Sequence, residues 1–175
     1  IFQKNAQQII ADFTLLTKGR KSNILTDAAT ILYSPENIFI EEGAQIKAAV
    51  LNAEKGPIYI GKNAQIQEGA LIQGPFALGT NSVVAQGSKI RPNSSIGPSC
   101  KVGGELNNVV FFANSNKGHD GYLGNAVIGE WCNLGANTNN SNLKNDLSEV
   151  KIYSYVTQKL EGCGLIFCGL FMGDY

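Results

Sequence analysis

The chain has 175 residues, enough for one domain with a short appendage, and it is 43% hydrophobic and only 16% charged, a composition that buries a core rather than staying disordered. Fourteen Lys and Arg balance fourteen Asp and Glu, without the basic excess of an electrostatic nucleic-acid binder, and no run of 18 apolar residues reads as a membrane-spanning helix. Twenty Gly against one Met and one Trp is a turn-rich composition, unlike that of a helical bundle.

The opening IFQKNAQQII carries polar groups inside its apolar pattern, so it does not read as a signal peptide. Phe2, Ala6, Ile9, Phe13 and Leu16 step by four, three, four and three, which keeps them on one helical face. Gly19 is a stop signal, and Lys18, Arg20 and Lys21 suit the negative end of the helix dipole. Residues 1–20 are therefore predicted as a capping or linker helix, and a start at Ile1 rather than Met reads as a piece of a longer chain.

From there a six-residue rhythm takes over. Ile60, Ile66, Ile72, Leu78, Val84, Ile90, Ile96 and Val102 recur without a break, Ile40 and Ile46 begin the same rhythm earlier, and Tyr122, Ile128 and Leu134 resume it later. Four places after each periodic residue stand Ala64, Ala70, Phe76, Ser82, Ser88, Ser94 and Cys100, nearly all small. At the third place stand Asn63, Gly69, Pro75, Asn81, Gly87, Asn93 and Ser99, residue types suited to turns or to positive φ. A period of six fits neither a helix nor a plain alternating strand. It fits a coiled parallel β-solenoid whose short strands stack coil on coil, three hexads to a triangular turn, with the large and the small residue inward and the turn residue at the corner. Residues 23–175 are predicted to form this body.

The rhythm is disturbed between Val102 and Tyr122 and lost after Thr138. A flat-sided rod offers no concave pocket, so a small-molecule site is expected at a disturbance or against a neighbouring rod. The first disturbance holds the only histidine, His119. Beyond it, LIFCGLF reads as a buried strand. Cys100 and Cys132 fall at small inward positions, and no paired CxxC spacing suggests zinc, so the four cysteines read as reduced and structural, with a redox role open for Cys163 and Cys168.

The string KGHDGYLGNAVIGEWCNLGANTNNSNLKND resembles the acetyltransferase domain of the bifunctional enzyme family that makes UDP-N-acetylglucosamine, a sugar-1-phosphate nucleotidyltransferase carrying a C-terminal hexapeptide-repeat domain. The resemblance covers roughly Ile60 to Asp146 and implies a rare left-handed parallel β-helix, all-β apart from one N-terminal α-helix, assembled as a cytoplasmic homotrimer. It implies His119 as the general base, Tyr122 on the sugar phosphate, Asn133 and Asn142 on the amino sugar, and Glu105 as an acid upstream of the base, all at the family's spacing from His119. Arg91 matches a phosphate-binding arginine after a two-residue gap, and Lys151 a downstream lysine across a loop of different length. Asn107 stands where the family has a lysine.

The resemblance also implies acetyl-CoA-dependent N-acetylation of glucosamine-1-phosphate, with acetyl-CoA as co-substrate and magnesium confined to a nucleotidyltransferase domain outside these residues. No nucleic acid or membrane partner is expected. The alternative is a trimerising or regulatory solenoid with no acetyl transfer of its own. Residue by residue, plainer readings stand beside these: Asn133 as a corner residue, Tyr122 as an in-phase core residue, Arg91 and Lys151 as solvated charges, and Asn142 as a loop cap.

Overall fold

The computed structural model describes residues 1–175 except Thr26 and Ser141. The six-residue rhythm becomes short parallel strands wound into a three-sided rod. The first face stacks Ile31–Tyr33, Val50–Asn52, Leu71–Gln73 and Lys89–Ile90 under the leading halves of Glu105–Phe111 and Tyr122–Ile128. The second face stacks Ile38–Ile40, Ile58–Ile60, Phe76–Leu78 and Ser94–Ile96 under the trailing halves of those two long strands, with Phe171–Met172 at the end. The third face stacks Gln45–Ile46, Gln65–Ile66, Val83–Val84, Lys101–Val102 and Asn116–Lys117.

The periodic residues all turn inward. Ile60, Ile66, Ile72, Leu78, Val84, Ile90, Ile96 and Val102 are buried, and so are the small partners from Ala64 to Cys100. Each buried isoleucine or leucine contributes about 1.5–3 kcal/mol of transfer free energy, so the stacked rows are the main source of stability. The inward serines are satisfied: Ser82 Oγ donates to Gly97 O at 2.7 Å and accepts from Cys100 N at 3.0 Å. Corners turn on left-handed backbone at Asn63, Asn81, Asn93 and Ser99, with φ between 55° and 66°, and at Gly69 and Gly87. All four cysteines are free thiols, with Cys100 and Cys132 buried among the small inward residues.

Two expectations are corrected, and the disturbance after Val102 lies within a continuous rod. Its two coils are shortened, and Glu105–Phe111 and Tyr122–Ile128 each round a corner on one left-handed residue, Asn108 or Asn125. That rounding joins the first and second faces into a single 11-stranded sheet. Tyr122 is not the inward residue of its coil: it pairs in register with half-buried Glu105, and Leu123 is buried above Leu106. Finally, LIFCGLF is no buried strand. Ile166 and Phe167 are half exposed, and the chain rejoins the rod from Gly169 onward, with Phe171–Met172 as a short strand beside Val127 and Ile128. Between Thr138 and that return, the chain leaves the rod in an antiparallel hairpin of Lys151–Ser154 and Lys159–Gly162.

The predicted helix spans Asn5–Thr17, after a short 3-10 turn at Phe2–Lys4. It runs the length of the second face. Phe2 packs on Val110, Val127 and Phe171, and Ile9 and Phe13 face Tyr59, Ala77 and Ser95. Just past the helix, Arg20 pairs with Glu41 at 2.7 Å and lies over the Phe39 ring. Asn5, one residue off the predicted apolar stripe, is buried as well. It donates to Asn93 O at 2.7 Å and accepts from Ser95 Oγ at 2.9 Å. The helix thus closes the second face and leaves free the opposite edge, where the third face turns into the first.

Candidate functional site

That open edge carries His119. The turn 118–121 links Asn116–Lys117 to Tyr122–Ile128, and on it His119 and Asp120 are exposed. Beside the turn, the outward column of the first face changes character. Reading along the rod, the in-register residues are Ile31, Val50, Leu71, Lys89, Glu105 and Tyr122, so the column passes from apolar to charged at Lys89. A cleft of about 420 Å3 lies over its far end, lined by Lys89, Glu105, Asp120, Gly121, Tyr122 and Asn139 among others.

Each group is held by the coil next to it. Arg91 Nε pairs with Glu105 Oε1 at 2.7 Å, one coil further along the rod. Tyr122 N donates to Asn139 Oδ1 at 2.6 Å, and Asn142 Nδ2 donates to the Tyr122 hydroxyl at 3.3 Å. Asn140 stands in for a missing strand, since its amide accepts from Gly124 N at 2.8 Å and donates to Gly124 O at 3.0 Å. Consecutive asparagines thus give the last coil the ladder bonds that a regular strand would supply.

Arg91, Glu105, Tyr122 and Asn142 therefore gather on one face, beside the turn that bears His119. Asn133 lies around the edge on the third face. It is exposed, and its Oδ1 accepts from Asn116 Nδ2 at 2.6 Å. Lys151 stands apart on the hairpin, exposed and in register with Gly162, and lines no part of the cleft.

Two residues escaped the sequence reading. Lys89 is a cation on the cleft itself, visible in sequence as the residue before inward Ile90. Lys117 is fully buried beneath the His119 turn. Burial pushes its ammonium below the ordinary lysine value, against an opposing pull from Asp120. Its signal was lost because the shortened coil before it shifts the phase of the rhythm by three residues.

An exposed imidazole beside a cleft that offers ammonium, carboxylate, phenol and amide groups, with the Arg91 guanidinium held on Glu105 at its side, suits a small, polar, anionic substrate with a proton to lose. No family model matches the chain. Curated relatives do. The chain is 30% identical to the bifunctional protein GlmU of Rippkaea orientalis over 73% of its own length and 33% of that protein's. It is 31% identical to the bifunctional protein GlmU of Wolbachia pipientis wMel over 74% of its length and 31% of the relative's. The corresponding figures for the bifunctional protein GlmU of Corynebacterium glutamicum are 30%, 71% and 29%. The chain thus spans about a third of the length of the curated relatives it matches. By sequence and by fold, it is a hexapeptide-repeat solenoid of the GlmU family.

Proposed function

We propose that the chain is the N-acetyltransferase part of a bifunctional sugar-1-phosphate nucleotidyltransferase, moving an acetyl group from acetyl-CoA to glucosamine-1-phosphate on the way to UDP-N-acetylglucosamine. The observation that carries this reading is the gathering of Arg91, Glu105, Tyr122 and Asn142 on one face beside the exposed His119 turn. The kinship with GlmU proteins supports it.

The amine of the acceptor attacks the thioester carbonyl. A nitrogen–carbon bond forms, the carbon–sulfur bond breaks, and coenzyme A leaves as a thiolate that takes up the proton His119 has accepted from the amine. The imidazole of His119 takes the amine proton as the bond forms, a task suited to a group whose ordinary pKa is about 6.5. Asn142 holds the amino sugar from the Tyr122 face and Asn133 from the other side of the His119 edge, and amide donors steady the oxyanion of the tetrahedral intermediate. Lys89 and Arg91 attract the sugar phosphate, with Tyr122 hydrogen-bonding to it. Lys151 joins the site only from another subunit or after the hairpin moves. The same reading carries a cytoplasmic homotrimer acting in amino-sugar metabolism.

A second reading is a trimerising or regulatory solenoid without acetyl transfer of its own. It is favoured by the Arg91–Glu105 ion pair, which already neutralises one of the cations, and by Asn107 at the position of an expected lysine.

The test is an assay with a thiol reporter, acetyl-CoA and glucosamine-1-phosphate on the protein and on its His119→Ala variant. Turnover that drops about 100- to 10,000-fold in the variant supports the base. Equal rates remove it, and no turnover on any of several amino-sugar phosphates leaves the structural solenoid.

A further inference from the structure

The inward row of the third face reads Ile46, Ile66, Val84, Val102, Lys117 and Leu134. Five of the six are apolar, and Lys117 stands in the same row with its side chain fully buried. An unpaired ammonium in that position would cost several kcal/mol. Lys117 is not unpaired. An ammonium has three N–H donors, and here they meet three backbone carbonyls: His119 O at 2.9 Å, Gly121 O at 3.0 Å and Gly103 O at 3.3 Å. Gly103 belongs to the preceding coil, and the other two belong to the turn that bears His119.

Three other corners of the same edge are closed differently. At 67–70, 85–88 and 135–138 a backbone N–H reaches back three residues, from Ala70 to Gln67, Ser88 to Ala85 and Thr138 to Gly135. Among the described residues no such bond closes 118–121. The lysine ammonium replaces it from inside the rod, drawing the carbonyls of His119 and Gly121 toward the axis while the imidazole stays exposed.

We propose that Lys117 is a positioning residue: its ammonium fixes the turn 118–121 and thereby aims His119 at the acceptor amine. The consequence for catalysis rests on His119 being the base, and the clamp itself does not. Holding a base in place contributes through orientation, and a misplacement of about 1 Å costs about 100-fold in rate.

Two variants test it. Lys117→Ile restores the apolar row of the third face, and Lys117→Met keeps the length of the side chain. Both are expected to unfold in one cooperative transition like the parent. In both, the carbon–proton NMR signal of the His119 ring shifts and broadens, and the amides of the turn exchange faster. kcat falls about 100-fold while KM for glucosamine-1-phosphate stays within about twofold, since Lys117 touches no substrate. A folded variant with an unchanged His119 signal and unchanged kcat overturns the proposal. If neither variant folds, the unmodified protein decides. A protected Lys117 ammonium signal with cross-peaks to His119 and Gly121 supports the clamp, and a freely exchanging ammonium overturns it. If the unmodified protein transfers no acetyl group, the enzymatic reading fails, while the NMR measurements still judge Lys117.

Discussion

Arg91 Nε lies 2.7 Å from Glu105 Oε1, so a cation and an acid that the sequence placed separately on the substrate neutralise each other across two coils. Arg91 is more than half exposed, and solvent screening limits such a pair to about 0–1 kcal/mol of stability. In the proposed acetyl transfer, its weight falls on binding. Lys89, which has no such ion pair among the described residues, is the freer cation on the cleft. Lys89→Met is expected to raise KM for the sugar phosphate about tenfold or more, the cost of a charged hydrogen bond, and Arg91→Met to raise it less. Steady-state kinetics on the two variants check the order. A larger effect at Arg91 would show that substrate breaks the ion pair.

The latch at the end of the helix gives a pH prediction. Tyr59 donates to Glu41 Oε1 at 2.6 Å, and Arg20 binds the other carboxylate oxygen. Arg20, more than Tyr59, holds the Glu41 carboxyl below its ordinary value. A depressed carboxylate stabilises the fold above its unfolded pKa, and that contribution is lost as pH falls through the lower, folded value. Burial, and then the bond to Glu41, pushes the Tyr59 phenol up to about 12. A raised phenol contributes stability that is fully present below the ordinary value near 10 and disappears as pH rises through about 12. Resistance to denaturant should therefore weaken at both extremes. Tyr59→Phe should abolish the alkaline loss and remove the last tyrosinate step in an absorbance titration.

Corners differ in what they tolerate. A Cβ added at Gly97 would collide with Phe112 O, a backbone atom that cannot step aside. Gly97→Ala is expected to cost about 3 kcal/mol or more. Asn81→Ala, at a corner with φ of 59°, keeps the space but strains the backbone, and should cost about 1–2 kcal/mol. Urea unfolding of the two variants gives the comparison directly.

Asn5 links the helix to the rod through Asn93 O and Ser95 Oγ. Asn5→Leu strands two partly buried polar groups, and a loss of about 1–2 kcal/mol is expected in thermal or urea unfolding. An unchanged midpoint would mean that the helix is held by its apolar contacts and the Arg20 latch without help from Asn5.

The rod was legible where its period is strict. Eight inward residues from Ile60 to Val102, and the left-handed corners at Asn63, Asn81, Asn93 and Ser99, are where the six-residue rhythm puts them. Legibility ended where a coil shortens. Asn108 turns a corner alone, Leu123 rather than Tyr122 faces inward, and Lys117 inherits a core position that hydrophobicity alone would not assign to a lysine. The position of Asn133 on a different face from Tyr122 was equally hidden, because spacing to His119 along the chain carries no sense of which side of an edge a residue occupies.

The helix along the second face changes how the solenoid should come apart. A plain stack of coils touches only its nearest neighbours, so its ends fray one layer at a time and its stability adds up layer by layer. Here Phe2 rests on Val127 and Phe171, while Arg20 grips Glu41 near the opposite end. A strut fastened at both ends makes distant layers share one fate. Damage to an early coil should therefore be felt at Phe171, and the molecule should melt as one unit rather than unzip.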